Sequence, residues 1–241
     1  MTLQNKPVLG RDVATAKQTT PRTIAIDGPV ASGKSAVGSL LSRRLGYRFL
    51  DTGVMYRAFA WWTLEQGVDP RDEEAVGKLA QTVRMDVSTA AADNDAFNRI
   101  EVGGVDATPF LARPDVEANV SLVSRVPAVR AAMVAIQRRM VESGGVIVVG
   151  RDIGTVVLPD AALKVYLDAS REERARRRYV QAKARGDTTT LDAVLQELAR
   201  RDKIDSSRKA SPLRPADDAI ILNTDGLELE QVVDKILAMT R

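Results

Sequence analysis

Residues 28–35 read Gly-Pro-Val-Ala-Ser-Gly-Lys-Ser, a full match to the G-x-x-x-x-G-K-[ST] pattern of phosphate-binding loops. An apolar run at 23–26 precedes the loop, and a helical pattern with Val37, Leu41 and Leu45 on one face follows it. Glycines let the backbone turn its N–H groups inward, and the positive end of the following helix faces the same anion. The pattern therefore predicts a strand, a loop that binds a nucleoside triphosphate, and a helix.

The loop also supplies groups that hold the outer phosphates and a metal ion. Lys34 is expected to reach the outer phosphates, and the Ser35 hydroxyl is expected to bind Mg²⁺. The other predicted donor contacts in the loop are Gly28, Pro29, Val30, Ala31, Ser32, Gly33 and Ala36. The alternative is a glycine-rich turn that only joins a strand to a helix, and the strand–loop–helix context disfavours it.

Composition narrows the chemistry that the chain can perform. The 241 residues include no His and no Cys, which excludes thiolate nucleophiles, imidazole relays, disulfides and zinc sites built on those ligands. Hydrophobic residues make up 44% of the chain and charged residues 28%, as in an ordinary globular protein. Phosphoryl transfer fits this inventory, because it depends on positioning and on charge stabilisation by Lys, Arg and a metal ion.

Short apolar runs alternate with helical patterns, which is typical of a parallel sheet covered by helices. The predicted strands are residues 23–26, 47–50, 146–149, 163–167 and 219–222. The predicted helices are residues 34–45, 54–66, 72–82, 114–124, 127–143, 170–185, 191–203 and 227–239. Residues 85–108 break the alternation, and Gly103-Gly104 within them predicts a small β-hairpin in an added lobe.

The remaining features of the chain bear on its location and partners. Residues 1–22 are polar and lack the apolar region of a secretory signal, so we expect a flexible tail and a fold that begins near Thr23. No stretch has the ~18 apolar residues of a membrane span. Aromatic residues make up 4% of the chain and are not interleaved with basic ones. We therefore predict a cytoplasmic protein with small-molecule substrates and neither nucleic acid nor a membrane as partner.

Two further charged segments follow predicted strands. Asp-Thr-Gly-Val-Met-Tyr-Arg occupies 51–57, and Gly-Arg-Asp-Ile-Gly-Thr occupies 150–155. Ligands of an open α/β sheet bind outside the carboxyl ends of its strands, so Arg57, Arg151 and Asp152 are expected beside the phosphate loop. The alternatives are an ordinary helix start with Arg57 as a surface charge, and a structural salt bridge between Arg151 and Asp152.

Arginines are unevenly distributed, although the formal net charge is only +3. Arg174, Arg176, Arg177 and Arg178 lie within one predicted helix. A solvated helix face, partly neutralised by neighbouring glutamates, would explain this cluster. A clamp on phosphate oxygens would explain it equally well, because a guanidinium group offers two parallel N–H donors to such oxygens.

Together these segments resemble one known family. The loop at 28–35, the segment at 51–57, Gly-Arg-Asp-Ile-Gly-Thr-Val-Val at 150–157 and Arg201-Asp202-x-x-Asp205-x-x-Arg208 are similar, in order and register, to those of bacterial cytidylate kinase. The resemblance covers the chain from about residue 23 to its last residue. It implies ATP-dependent phosphorylation of CMP and dCMP, with ATP and Mg²⁺ bound at the phosphate loop.

The resemblance also assigns roles to residues of this chain. It implies that the monophosphate is held by Arg57, Arg151 and Arg208. It implies that the cytosine edge is contacted by Ser121, Arg130 and Asp152. It implies that the sugar is met by Arg201 and Asp205, with Thr52 nearby. Asp51 is a further predicted substrate-binding residue. It assigns closure over the triphosphate to the lid arginines Arg174 and Arg178, and catalysis to Lys34, Arg151 and Arg208.

The fold implied by the resemblance is an α/β P-loop fold in three layers with a five-stranded parallel sheet. A helical lid is expected at about 171–205, and an enlarged monophosphate-binding lobe with a small antiparallel sheet at about 53–125. Ala36 departs from the family, which often has a second hydroxyl residue at this position. Nothing in the sequence demands more than a monomer.

Two other functions remain open. A kinase for adenylate, uridylate or a small hydroxyl compound would keep the phosphate loop but should lack Gly150-Arg151-Asp152 and the 201–208 pattern. A P-loop switch that hydrolyses ATP without transferring the phosphoryl group would need a protein partner and no second nucleotide pocket. The arginines expected at an acceptor site disfavour the switch.

Overall fold

The apolar runs form strands, and a computed structural model describes residues 22–88 and 99–240 of the chain. Its strands are β1 (Thr23–Asp27), β2 (Arg48–Asp51), β3 (Met85–Ser88), β4 (Arg99–Val102), β5 (Val105–Asp106), β6 (Val146–Val149), β7 (Leu163–Asp168) and β8 (Ile220–Asn223). Within the described ranges, five strands form one sheet in the order β2-β6-β1-β7-β8, and every neighbouring pair is parallel. The predicted fold class is confirmed.

Helices connect these strands. They are α1 (Lys34–Leu45), α2 (Thr52–Glu65), α3 (Glu73–Thr82), α4 (Pro114–Ser124), α5 (Pro127–Val141), α6 (Arg171–Ala184), α7 (Leu191–Ser207) and α8 (Leu229–Met239). Helices α1 and α4 have the predicted bounds. Helix α2 begins before the predicted residue 54, because the Asp51 side chain accepts from Gly53 N and caps the helix there. Helix α7 continues beyond the predicted residue 203, since no glycine or proline ends it there.

Side chains that alternate along the buried strands give each face of the sheet its own core. Ile24 and Ile26 of β1 pack on one face with residues of α1 and α8. Ala25 of the same strand and Val148 of β6 pack on the opposite face with residues of α2 and α5. This period of two makes three layers and leaves the carboxyl ends of the strands for the loops that follow them.

The lobe between α3 and α4 contains the second sheet, in which β3, β4 and β5 are antiparallel. The predicted hairpin is confirmed as β4–β5, and Gly103 and Gly104 at its turn have positive φ angles of 60° and 83°. Strand β3 was not predicted, because Met85–Ser88 alternates with polar Asp86 and Ser88 and is too short to give a strong apolar signal.

The predicted flexible tail lies outside the described residues, apart from Arg22. Across residues 22–88 and 99–240, no single helix is long and apolar enough to cross a membrane. Helices α4 and α5 meet the criterion as a pair by length and composition only, and they are bent by 98° where they join.

The packing of α1 against the sheet predicts the effect of one added methyl group. A Cβ at Gly38 would lie 2.6 Å from the Phe49 ring and 2.7 Å from a Val149 methyl group. Gly38→Ala is therefore expected to lower the free energy of unfolding by about 1–3 kcal/mol, measured by urea denaturation.

Gly77→Ala in α3 is the matched control for this substitution. A Cβ there would make an ordinary 3.5 Å contact with Ala128, and alanine favours a helix over glycine by up to about 1 kcal/mol. Equal stability of the Gly38→Ala and Gly77→Ala proteins would contradict the close packing of α1.

Candidate functional site

The phosphate loop joins β1 to α1 through backbone conformations that few side chains adopt. Gly28 has a φ of 149°, and a Cβ there would lie 2.1 Å from the Leu167 carbonyl oxygen, so only glycine fits. Gly33 has a φ of 93° and precedes α1 without a side chain that could cap it. The N–H groups of the first helical turn are therefore suited to an anion.

Lys34 is buried inside this loop. Its Nζ donates to the Pro29 carbonyl oxygen at 2.6 Å and to Ser32 Oγ at 3.2 Å. Burial, followed by the charge of Arg151, holds the pKa of Lys34 well below its usual range. Both hydrogen-bond partners are uncharged, and a phosphate oxygen in the loop would give the ammonium group an anionic partner.

Ser35 and Asp51 bring a hydroxyl and a carboxylate together beside the loop. Ser35 Oγ donates to Asp51 Oδ2, and Asp51 Oδ1 accepts from Gly53 N at 2.9 Å. Oxygen ligands of these two kinds are the ones Mg²⁺ prefers, so the pair fits a magnesium ion bound next to the phosphates. Ala36, the next residue, is exposed and adds no second hydroxyl.

A second cavity lies at the carboxyl ends of β2 and β6. Its walls come from α2, α4, α5, the segment after β6 and the end of α7. It contains every residue that the sequence predicted for the acceptor except Asp51: Thr52, Arg57, Ser121, Arg130, Arg151, Asp152, Arg201, Asp205 and Arg208. Asp51 lines the neighbouring donor cavity. Residues far apart in the sequence thus form one site, which we call the acceptor cavity.

Two ion pairs organise the acceptor cavity. Arg130 of α5 donates to Asp152, and their side chains are only 4% and 5% exposed. Arg151 Nε donates to Asp205 Oδ2 at 3.0 Å and so links the segment after β6 to α7. The Tyr56 ring lies beneath the Arg130 guanidinium, 5.3 Å from its carbon atom. Arg151 and Asp152 therefore pair with other residues, not with each other.

The acceptor cavity holds positive charge that its carboxylates do not fully compensate. Burial, followed by the charge of Arg151, lowers the pKa of Arg201 to about 10. Burial, the largest single influence, would raise the pKa of Asp205, but the charges of Arg151, Arg208 and Arg201 and the hydrogen bond from Arg151 together lower it. Among the described residues, the buried Arg201 Nε and Arg208 Nη2 have no hydrogen-bond partner. Unused donors and excess positive charge both fit an anion such as a phosphate group.

The donor cavity extends from the phosphate loop to α6 and to the segment before α8. It is lined by residues 30–37, by Arg176, Arg177 and Arg178 of α6, and by Thr224 after β8. The two cavities have Gly53, Arg57, Gly150 and Arg151 in common. They therefore meet at Arg57 and Arg151, where two phosphate-bearing ligands would face each other.

Comparison with known proteins identifies the family of this chain. The family model described as cytidylate kinase matches residues 24–241. The chain belongs to the cytidylate kinase family. It is 46% identical over 215 residues to the cytidylate kinase of Pelotomaculum thermopropionicum, covering 89% of this chain and 94% of that protein.

Other relatives give the same result. The chain is 46% identical over 214 residues to the cytidylate kinase of Pseudomonas aeruginosa strain LESB58, covering 89% of this chain and 93% of that protein. It is 49% identical over 219 residues to that of Mycolicibacterium paratuberculosis, covering 90% and 94% of the two chains. Kinases are phosphotransferases, so membership of the cytidylate kinase family gives the class of reaction, the transfer of a phosphoryl group.

The two arginines predicted for the lid of this cytidylate kinase family member have different surroundings. Arg178 lines the donor cavity, and its Nη2 donates to Glu117 of α4. Arg174 is buried and makes two hydrogen bonds to the Asp202 carboxylate of α7. Its Nη1 also reaches the Val30 carbonyl oxygen in the phosphate loop at 3.2 Å. The structure therefore places Arg178 at the donor cavity, whereas Arg174 connects α6 to α7 and to the loop.

Asp27 lies directly beside the site, although no sequence motif pointed to it. It ends β1 directly before the phosphate loop, is 4% exposed, and accepts from Ile153 N at 2.8 Å and Gly154 N at 2.7 Å. Burial raises the pKa of Asp27 to about 6, against the lowering effect of these two bonds. The signal in the sequence was a carboxylate at the end of an otherwise apolar, buried strand.

The raised pKa of Asp27 predicts a pH-dependent contribution to stability. The folded-state pKa of about 6 lies above the ordinary value of 3.8, so the folded protein binds this proton more tightly than the unfolded chain. The contribution of Asp27 is therefore complete below the ordinary pKa and is lost as the pH rises through about 6.

Urea denaturation of the wild type and of Asp27→Asn at several values between about pH 4 and pH 7 measures this contribution. The wild-type free energy of unfolding minus that of the variant should fall as the pH rises, because only the wild type titrates at this position. A difference that is constant or rises with pH would contradict the raised pKa.

Proposed function

We propose that this chain transfers the γ-phosphoryl group of ATP to CMP and dCMP, giving CDP and dCDP. The observation that carries the proposal is the wall that the two cavities share, Gly53, Arg57, Gly150 and Arg151. A donor on the phosphate loop and an acceptor in the second cavity would bring their phosphates together at this wall. Membership of the cytidylate kinase family supports CMP as the acceptor over adenylate, uridylate or a hydroxyl compound.

On the donor side, the loop N–H groups and Lys34 would hold the outer phosphates of ATP. Arg178 already lines this cavity. Arg174 would join it by exchanging the Asp202 carboxylate for a phosphate oxygen. Ser35, with Asp51 beside it, would hold Mg²⁺, which neutralises charge on the phosphate oxygens when it is bound.

On the acceptor side, Arg57, Arg151 and Arg208 would hold the monophosphate. The unused Nη2 donor of Arg208 and the position of Arg57 and Arg151 between the cavities support this assignment. Arg201 and Asp205, on the last turns of α7, would meet the sugar. Thr52 would lie nearby, where its hydroxyl donates to the Val149 carbonyl oxygen at 2.9 Å.

The deepest part of the acceptor cavity would recognise the base through Ser121, Arg130 and Asp152, each of which is almost fully buried. The Asp152 carboxylate accepts from Arg130 and has further acceptor capacity for the N4 amino group of cytosine. Uracil has an oxygen at this position, which would repel a carboxylate. A buried acceptor that one base satisfies and the other does not gives strong discrimination.

The chemical step needs no side-chain base. An oxygen of the acceptor monophosphate, already ionised, attacks the γ-phosphorus as the bond to the β–γ bridging oxygen breaks, and ADP leaves with that oxygen. Lys34, Arg151 and Arg208 would stabilise the negative charge on the reacting phosphates. Closure of α6 and α7 over the donor would exclude water and so suppress hydrolysis of ATP.

This proposal also assigns functions to the regions of the chain. A kinase domain at 23–241 would contain the monophosphate-binding lobe at about 53–125 and the lid at about 171–205. One chain lines both cavities, so a monomer suffices for the reaction. We place the enzyme in the cytoplasm with small-molecule nucleotides as its partners, and the reaction requires neither nucleic acid nor a membrane.

A coupled assay of ADP release with CMP, dCMP, UMP and AMP as acceptors tests the function. Turnover with CMP and dCMP should exceed turnover with UMP and AMP, and ADP release should be slow without an acceptor. Equal turnover with AMP would favour another monophosphate kinase. ADP release that is independent of any acceptor would instead indicate a nucleotide switch.

Asp152→Asn tests the base contact while keeping the shape of the side chain. The amide replaces one carboxylate oxygen by an N–H donor, so kcat/KM for CMP should fall about 10- to 100-fold and the ratio of UMP to CMP use should rise. The KM for ATP should change less than about two-fold, because Asp152 lies outside the donor cavity.

Asp217→Asn is the matched control for this charge removal, because Asp217 is exposed and pairs with Arg214. Its kinetic constants should equal those of the wild type. A loss of ATP affinity in Asp152→Asn, with CMP selectivity kept, would contradict the assignment of Asp152 to the base.

A further inference from the structure

Asp27 connects the donor half of the site to the acceptor half through two backbone hydrogen bonds. Its carboxylate belongs to β1 and directly precedes the phosphate loop. The two N–H groups that it accepts, those of Ile153 and Gly154, begin a short π-helix, Ile153–Val157. That helix follows Arg151 and Asp152, which line the acceptor cavity. One side chain therefore caps the segment that carries two of the proposed acceptor contacts.

A carboxyl group suits this position because it offers two accepting oxygens to two N–H groups. The first N–H groups of a helix have no partner within the helix, and a negative charge at that end is favourable. Asp27 satisfies two such groups with its two oxygens, Oδ1 to Ile153 N and Oδ2 to Gly154 N. An asparagine has one accepting oxygen and would turn an amide N–H₂ group towards one of these donors.

The backbone of the segment that Asp27 caps lies close to its neighbours. A Cβ on Gly150 would lie 2.6 Å from Ile153 Cδ1 and 2.7 Å from Thr52 Oγ1. A Cβ on Gly154 would lie 3.1 Å from Lys164 Cδ and 3.4 Å from Asp27 Oδ2. Glycines at these two positions allow the backbone to come this close to its neighbours, the Asp27 carboxylate among them.

A direct role for Asp27 as the charge partner of Lys34 fits the contacts less well. The Lys34 ammonium group donates to the Pro29 carbonyl oxygen and to Ser32 Oγ. Both Asp27 oxygens accept from backbone N–H groups of the π-helix. The hydrogen bonds of Asp27 therefore act on the acceptor side, although the residue lies next to the donor loop.

We infer that Asp27 is a positioning residue for acceptor recognition, which caps the π-helix after β6 and so holds Arg151 and Asp152 in the acceptor cavity. This inference rests on the proposed function, because it takes these two residues to bind the acceptor. It separates Asp27 from the phosphate loop in function, although the two are adjacent in sequence. Loss of the cap should therefore weaken the binding of CMP more than the binding of ATP.

Asp27→Asn in the full-length chain tests this difference between the two substrates. The KM for CMP should rise at least about ten-fold, as expected for loss of a hydrogen bond to a charged group. The KM for ATP and the affinity for ATP measured by calorimetry should stay within about two-fold of the wild type. General damage to the fold would lower kcat and affect both substrates, so the unequal change in KM distinguishes positioning from stability.

Asp72→Ala is the matched control. The Asp72 carboxylate also caps a helix by accepting from two N–H groups, those of Glu74 and Ala75, and it lies at the start of α3 outside both cavities. Its loss should lower the melting temperature and leave both KM values unchanged. The same difference in Asp72→Ala would overturn the inference, and so would equal rises in both KM values of Asp27→Asn or an unchanged KM for CMP.

Gly154→Ala keeps the inference testable if Asp27→Asn does not fold. Its methyl group would lie 3.4 Å from Asp27 Oδ2 and 3.1 Å from Lys164 Cδ. It would therefore disturb the cap less than Asp27→Asn does, and a smaller difference between the KM changes for CMP and ATP is expected. A folded Gly154→Ala protein without this difference would overturn the inference. A wild-type protein that does not phosphorylate CMP would overturn the proposed function and this inference with it. If the wild type is active but the variants change the KM values for CMP and ATP equally, only the inference is overturned.

Discussion

The site depends on holding several guanidinium groups close together in a space that is mostly shielded from water. Carboxylates separate them, since Asp205 lies among the charges of Arg151, Arg201 and Arg208 and its pKa is lowered by them despite burial. The separation is incomplete, because among the described residues the buried Arg201 Nε and Arg208 Nη2 have no hydrogen-bond partner. An anionic ligand would relieve this imbalance. Folding has already brought the guanidinium groups together, so their positive charge would offset the repulsion between two polyanionic ligands.

The sheet explains how residues so distant in sequence share this task. Strands β1, β2 and β6 are parallel neighbours, so the loop after β1, the start of α2 and the segment after β6 emerge at one edge. Parallel pairing alone sets the edge but not the orientation of each side chain. Local devices provide the orientation: Asp51 caps α2, and Asp27 caps the π-helix that follows β6.

The sequence predicted features that depend on residues close together in the chain, and it did not predict contacts between distant residues. The phosphate loop, α1 and the hairpin depend on glycines and periodicities within a few residues, and all three were predicted. Arg57 and Arg151 could be placed because strand ends meet at one edge. The partners of Arg151 and Asp152 could not, because these neighbours in sequence bond to residues of two different helices. Asp27 was missed because its partners are more than a hundred residues away.

Arg174 and Arg178 show the same limit and constrain how the donor site is completed. They lie one helical turn apart in α6, yet Arg178 lines the donor cavity and Arg174 bonds Asp202 of α7 with its side chain only 6% exposed. Removing one partner of such a buried pair is costly unless another anion replaces it. Arg174 can therefore leave Asp202 for the donor at little cost only when a phosphate oxygen takes over the role of the carboxylate. Its bond to the Val30 carbonyl oxygen keeps it against the phosphate loop, where that exchange would occur.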